Sequence, residues 1–127
     1  MIARLSVLLL SLLLANSSFA QSASRSTVET AQGTATKLRL LDKVAGKTVD
    51  VTLQLGDAYT LGKLRIIMGE CRYPLDNPAG EAYAFLTILS EDLMKEYFSG
   101  WMIASSPGLN ALDHVRYDVW PLRCTMS

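Results

Sequence analysis

From Thr48 to Leu55 the chain alternates without a break, with Val49, Val51, Leu53 and Leu55 on one side and Thr48, Asp50, Thr52 and Gln54 on the other. A two-residue period held over eight positions is that of an extended strand with one face on a core; a helix would scatter the same residues around its circumference. The neighbouring stretches read the same way. Leu38 and Leu40 alternate with Lys37 and Arg39, a turn follows over Asp42 to Gly46, and Gly56-Asp57 turns the chain again. From Lys63 to Tyr73, Leu64, Ile66 and Met68 share a face while Ile67 and Cys71 take the opposite one, the pattern of a strand that is central or covered.

Pro74 to Gly80 (PLDNPAG) is loop. Glu81 to Leu89 is a strand with Tyr83, Phe85 and Leu89 on one side and Ala84, Leu86 and Ile88 on the other. Ser90-Glu91-Asp92 is suited to cap one or two helical turns through Glu96, with a hairpin excursion as the alternative. Phe98 to Ala104 carries large residues on both faces, and Gly100 in its middle marks a bulge or a place where another backbone or a ring comes close. Ser105 to Asn110 (SSPGLN) turns, and Asn110 is placed to cap a helical turn over Ala111, Leu112 and Asp113. Val115, Tyr117 and Val119 alternate with Arg116 and Asp118 in a last strand that runs through Trp120 to Cys124. Pro121 cannot donate to a ladder, which places that strand at an edge. Six to eight short strands separated by Gly, Pro and Asn turns predict an all-β single domain, a small sandwich or partly open barrel.

The start of the chain is an address. Arg4 precedes an apolar run from Leu5 to Ala15 interrupted only by Ser6 and Ser11, and Ser18-Phe19-Ala20 presents small residues for cleavage. Residues 1–20 therefore read as a signal peptide, cut after Ala20. The run is short of the roughly 20 apolar residues that span a bilayer, and no later segment supplies them, so the mature chain is expected to lack a transmembrane segment. Residues 21–36, rich in Ser, Thr, Ala and Gln, read as a disordered lead, and the all-β domain as 37–127. The 127 residues carry no formal net charge, and without Arg4 the exported form is one unit negative. Interspersed signs give it no electrostatic reason to bind nucleic acid or an anionic membrane.

Cys71 and Cys124 are the only cysteines, and in an oxidising compartment an even count reads as one disulfide. Its 53-residue loop is worth about 4 kcal/mol. A redox pair would favour C-x-x-C, and zinc would want more than the single histidine. No metal or cofactor is predicted.

The densest chemistry lies between Phe98 and Cys124, which hold both tryptophans, the histidine and two of the four prolines. A triad of Ser105 or Ser106, His114 and Asp113 or Asp118 lacks the G-x-S-x-G elbow, and neighbouring Asp113 and His114 rarely face each other on a strand. Trp101 and Trp120 read first as core, because a small domain needs its aromatics inside. The functional alternative has one of them lining a groove with Tyr117 for a glycan or a peptide. The candidate binding residues are Trp101, Ser105, Ser106, Leu109, Asn110, Leu112, His114 and Tyr117: a loop of polar and small residues beside the tryptophans, with Leu109 and Leu112 as its apolar contacts.

The string G-W-M-x-A-S-S-P-x-L-N-A-L-x-H-x-x-Y-D-V-W from Gly100 to Trp120 resembles the hallmark of an uncharacterised secreted protein family of alphaproteobacteria, a domain of unknown function. Leu41 to Gly46, Gly62-Lys63-Leu64, Cys71 and Ala84-Phe85-Leu86 fit the same pattern, so the likeness covers about Leu38 to Cys124. Val115 stands where family members often place proline. The resemblance implies the periplasm and a cysteine pair like this one, and brings no catalytic residues. The expectation is a non-enzymatic binding or assembly module of the cell envelope, with an unknown envelope protein or glycan as partner. Its rivals are a small hydrolase-like enzyme acting on an envelope polymer through Asp113, His114 and Asp118, and a purely structural component pairing through an edge near Pro121.

Overall fold

The computed structural model describes residues 27–126; the signal-peptide reading of residues 1–20 and the first part of the lead lie outside them. Eight strands follow in order: β1 (Thr30–Gln32), β2 (Ala35–Asp42), β3 (Lys47–Gln54), β4 (Ala58–Leu61), β5 (Leu64–Pro74), β6 (Tyr83–Ser90), β7 (Glu96–Ile103) and β8 (Tyr117–Thr125). All pairings are antiparallel. One sheet runs β1-β5-β6-β7, with β4 also on β5; the other runs β3-β2-β8. The architecture is an open two-sheet sandwich, the first of the two expected forms.

The core lies between the sheets. Leu38, Leu40 and Val119 from the smaller sheet meet Ile66, Met68, Leu86, Ile88 and Met102 from the larger, all at 1% exposure or less. Burying each such side chain contributes about 1.5–3 kcal/mol over leaving it in water. β5 is apolar on both faces because it is interior, with β6 on one edge and β1 and β4 on the other. Cys71 does not take the face its spacing suggested. A register shift between Met68 and Glu70 makes Gly69 an extra residue, so the parity changes and Cys71 and Tyr73 turn inward beside Met68. A side chain at position 69 would meet Phe85 Cδ1 at 3.0 Å and Phe85 O at 3.1 Å, which suits a glycine.

That flip brings Cys71 of β5 to Cys124 of β8, and the disulfide between them (Cα–Cα 5.6 Å) ties one sheet to the other. β8 is an edge strand, as Pro121 required, and it bulges: Arg123 faces Lys37 and Pro121 faces Leu38, leaving Leu122 unopposed.

Four expectations need correction. The ordered domain reaches further towards the N-terminus than Lys37, since β1 and the first residues of β2 fall within 21–36. β1 carries no apolar alternation: it is held by its ladder to Pro74, Tyr73 and Arg72, with Ala31 as its one side chain packed against the core. Ser90 to Glu96 takes the alternative form, a hairpin turn, rather than helical turns. The Ser90 hydroxyl donates to Asp92 Oδ1 and accepts from the Lys95 amide, Asp92 Oδ1 accepts the Met94 amide, and Leu93 takes φ 64°. These side chains satisfy a tight turn instead of a helix N-terminus. Nor is there a helical turn over Ala111 to Asp113: the Asn110 side chain is turned back onto the Trp101 carbonyl, as described below, and the residues after it have no regular structure. Finally, neither tryptophan is in the core: Trp101 is 37% exposed and Trp120 half-buried, on the outer sides of the two sheets, while aliphatic and methionine side chains fill the inside.

Candidate functional site

The parity that sends Phe98 and Met102 inward along β7 sends Trp101 and Ile103 outward. Register sets Phe85 opposite Trp101 and Tyr83 opposite Ile103 on β6, with Glu70 and Arg72 as their partners on β5. The outer face of the five-stranded sheet thus presents two rows, Glu70–Phe85–Trp101 and Arg72–Tyr83–Ile103. The rings of Phe85 and Trp101 meet edge to face, 5.3 Å between centroids. Glu70 and Arg72 pair at 3.3 Å. Val28, Thr30, Arg72, Tyr83 and Trp101 line an open, largely apolar dish of about 240 Å³. A tryptophan edge, a tyrosine and a guanidinium around an apolar floor can stack a flat amphipathic ligand while offering it hydrogen bonds.

The Trp101 backbone is pinned from behind: the Asn110 side-chain amide donates to its carbonyl at 2.8 Å. The tightest approach at Gly100 is this side-chain amide rather than a backbone or a ring: a Cβ there would come 3.2 Å from Asn110 Nδ2, with the Phe98 ring next at 3.6 Å.

The eight predicted binding residues do not form one site. Ser105 belongs to a separate cluster, its amide and hydroxyl both donating to Glu81. Burial works against ionising Glu81, but these bonds and the Ala82 amide outweigh it and hold the carboxyl below its usual range. The Ser106 amide closes a turn onto the Ile103 carbonyl at 3.1 Å. Leu109 is 74% exposed at the loop tip, whereas Leu112 is buried among core residues and offers no surface contact. Tyr117 is buried as well and lies against His114, away from Trp101, so the pairing of a tryptophan with Tyr117 is not made. Tyr83, Phe85 and Arg72 were not among the sequence candidates. The two-sided apolar pattern of β6 was their signal.

His114 sits at one end of the sandwich. Its Nδ1 accepts two backbone N–H bonds, from Arg116 and Tyr117, each at 3.1 Å, and so caps the start of β8. Its ring stacks on Tyr117 (5.4 Å) and meets Tyr97 edge-on (5.0 Å). A side chain at position 62 would collide with the Tyr117 hydroxyl, so Gly62, at φ +57°, is what admits that ring. Lys43 Nζ donates to the His114 carbonyl, and Arg116 pairs with Asp42 at 2.9 Å. The acceptor nitrogen of His114 is therefore committed to backbone, the Ser105 hydroxyl to Glu81, and Asp118 Oδ1 to the Val119 amide. Among the described residues no hydrogen bond joins a serine to His114 or His114 to a carboxylate, so the proposed triad is not assembled.

Burial first, then Lys43 and Lys95, lower the His114 pKa below its ordinary value. A folded-state pKa below the unfolded one means stability that is present above about pH 6.5 and lost as pH falls below it. Protonating Nδ1 would also remove the acceptor for both amides. The melting temperature is expected to fall between pH 7 and pH 5, and His114→Gln should be less stable at pH 7 but show a flatter slope over that interval; an unchanged slope would remove His114 from the account. Asp42 acts in another window. Arg116 first, with the Ala45 and Val44 amides, holds it at about 2, so its contribution persists above pH 4 and fades towards pH 2.

Among the described residues no helix is long and apolar enough to cross a membrane. Fold and site together define a disulfide-tied antiparallel β sandwich with an aromatic outer face. The chain belongs to the DUF2155 family, described as uncharacterized proteins conserved in bacteria, whose pattern it matches over residues 36–124. It is 26% identical over 91 residues to an uncharacterized protein of Rickettsia prowazekii (strain Madrid E), covering 69% of this chain and 59% of that protein. The chain thus spans less than two thirds of that curated relative. No solved structure matches it.

Proposed function

We propose that this protein is a non-enzymatic binding or assembly module of the bacterial cell envelope, exported to the periplasm by a cleaved signal peptide, and that it grips its target with the outer face of the five-stranded sheet. The supporting observation is Trp101, left 37% exposed beside Tyr83 and Phe85 in a domain small enough to need its aromatics inside. The Ser105–Asp113 loop serves as the backing that fixes Trp101 through Asn110. An envelope glycan or an extended peptide suits the dish, since both present flat apolar surface edged with hydrogen-bonding groups.

A photocrosslinking side chain at Ile103, opposite Tyr83, tests the reading in cells. One dominant envelope adduct is expected. Trp101→Ala should weaken binding by about 30-fold, the effect of losing an anchor of about 2 kcal/mol, while shifting the melting temperature little. An adduct formed equally well without the indole would sink the assignment of this face.

A further inference from the structure

Every sheet edge in the described residues is protected except one. β1 and β4 are three and four residues long. β7 is partly covered by the 105–116 loop, with Asn110 occupying the Trp101 carbonyl. β8 carries Pro121 and the bulge at Leu122. Short strands, covering loops, prolines and bulges are the usual ways of keeping an edge from pairing with another chain. β3 has none of them. It runs eight residues in unbroken register along β2 without proline or bulge, and its one charge on the inner side, Lys47, stands at its first residue, outside the Val49–Leu53 stretch.

The same strand holds the most regular apolar alternation in the sequence, yet that alternation is poorly buried. Of its inward residues Leu53 is buried and Val51 half-buried, while Val49 is 44% exposed and stands outside the core cluster. An apolar stripe that its own fold does not cover, along an unprotected edge, calls for a covering strand.

The geometry points to a second copy of this chain: two β3 strands pair antiparallel about a two-fold axis at Val51, joining two three-stranded sheets into one of six. The sequence is self-complementary in that register. On the inner face Val51 meets its own counterpart and Val49 meets Leu53; on the outer face Thr48 meets Gln54 and Asp50 meets Thr52. Facing residues share a side of the sheet, so all apolar positions stay on the core side. No like charges meet, whereas centring one residue earlier would set Asp50 against Asp50 at a cost in stability. Asp50 is already paired with Arg39 at 2.8 Å, so its charge does not oppose association. Isologous two-fold pairing of this kind closes on itself and leaves no growing edge. The inference stands apart from the Trp101 face, which lies on the other sheet; the dimer would simply present that face twice.

Sedimentation of the purified protein should show a concentration-dependent dimer. Val49→Lys, at a position already 44% exposed, should fold normally and weaken dimerisation about tenfold or more. The register is tested by cysteine placement. Residues at the two-fold sit about 4.5–5.5 Å apart between Cα atoms, within disulfide range, so Val51→Cys should cross-link two subunits spontaneously. Val49→Cys should not, because the two copies of residue 49 are offset by about 13 Å along the strands. A wild-type monomer up to millimolar concentration, a dimer that survives Val49→Lys, or cross-linking at 49 in place of 51 would each overturn the proposal.

Discussion

Removing the disulfide by a Cys71→Ala, Cys124→Ala double substitution is expected to lower the unfolding free energy by about 4 kcal/mol. The bond closes 53 residues, and opening it releases that loop into the unfolded ensemble. Domains of this kind are stable by only about 5–15 kcal/mol, so the loss would take a large fraction of the total. Alanine is the right replacement because Cys71 is fully buried, and a serine hydroxyl there would add the cost of an unpaired polar group. The location of the bond sharpens the expectation. It joins β5 of one sheet to β8 of the other, and β8 is an edge strand interrupted by Pro121 and a bulge. Gly33 packs against the same cysteine so closely that a Cβ there would lie 2.9 Å from Cys124 Cβ. Urea unfolding should show a lower midpoint and a steeper slope, since the unlinked unfolded chain exposes more surface. A change below about 1 kcal/mol would mean that interleaved core side chains alone hold the sheets together.

What the sequence made legible follows from which forces act locally. The alternation at Thr48 to Leu55 and the two-sided pattern at Leu64 to Tyr73 are imprints of sheet faces, and β3 and β5 lie where those patterns put them. The edge at Pro121 was readable because proline lacks a donor whatever the fold. Three features were hidden because they depend on contacts distant in sequence. The Gly69 bulge exchanges inside for outside in mid-strand, and only pairing with β6 reveals it. β1 exists through its ladder to β5 and has no hydrophobic imprint of its own. Trp101 and Met102 are neighbours with similar claims on the core, and only the register of β7 sends the indole out and the thioether in. The site was missed for the same reason: the dish is lined from β1 and its approach, β5, β6 and β7, and the compact string from Gly100 to Trp120 supplies just Trp101 to that lining. That string mostly builds the support behind the site.

Leu112 and Leu109 turn this division of labour into a measurement. They stand three residues apart in one loop and read alike in sequence, but Leu112 is 6% exposed and Leu109 74%. Leu112→Ala should cost about 2–5 kcal/mol, the range for removing a buried leucine side chain and leaving a cavity. Leu112→Asp should cost more, because the carboxylate must either be desolvated or drag the loop away from the core. Leu109→Asp should stay within about 0.5 kcal/mol of the parent, as exposed substitutions usually do. Urea midpoints for the three variants decide the matter, and a Leu112→Asp protein as stable as the parent would show that the loop detaches freely. The distinction governs how binding data on the loop are interpreted. Asn110 lies between the two leucines and holds the Trp101 carbonyl, and His114 caps β8 just beyond Leu112. Unseating Leu112 would therefore loosen Trp101 and weaken binding without Leu112 ever touching a ligand. Only loss of binding in a variant of normal stability, Leu109→Asp for the loop or Trp101→Ala for the sheet, would locate a contact.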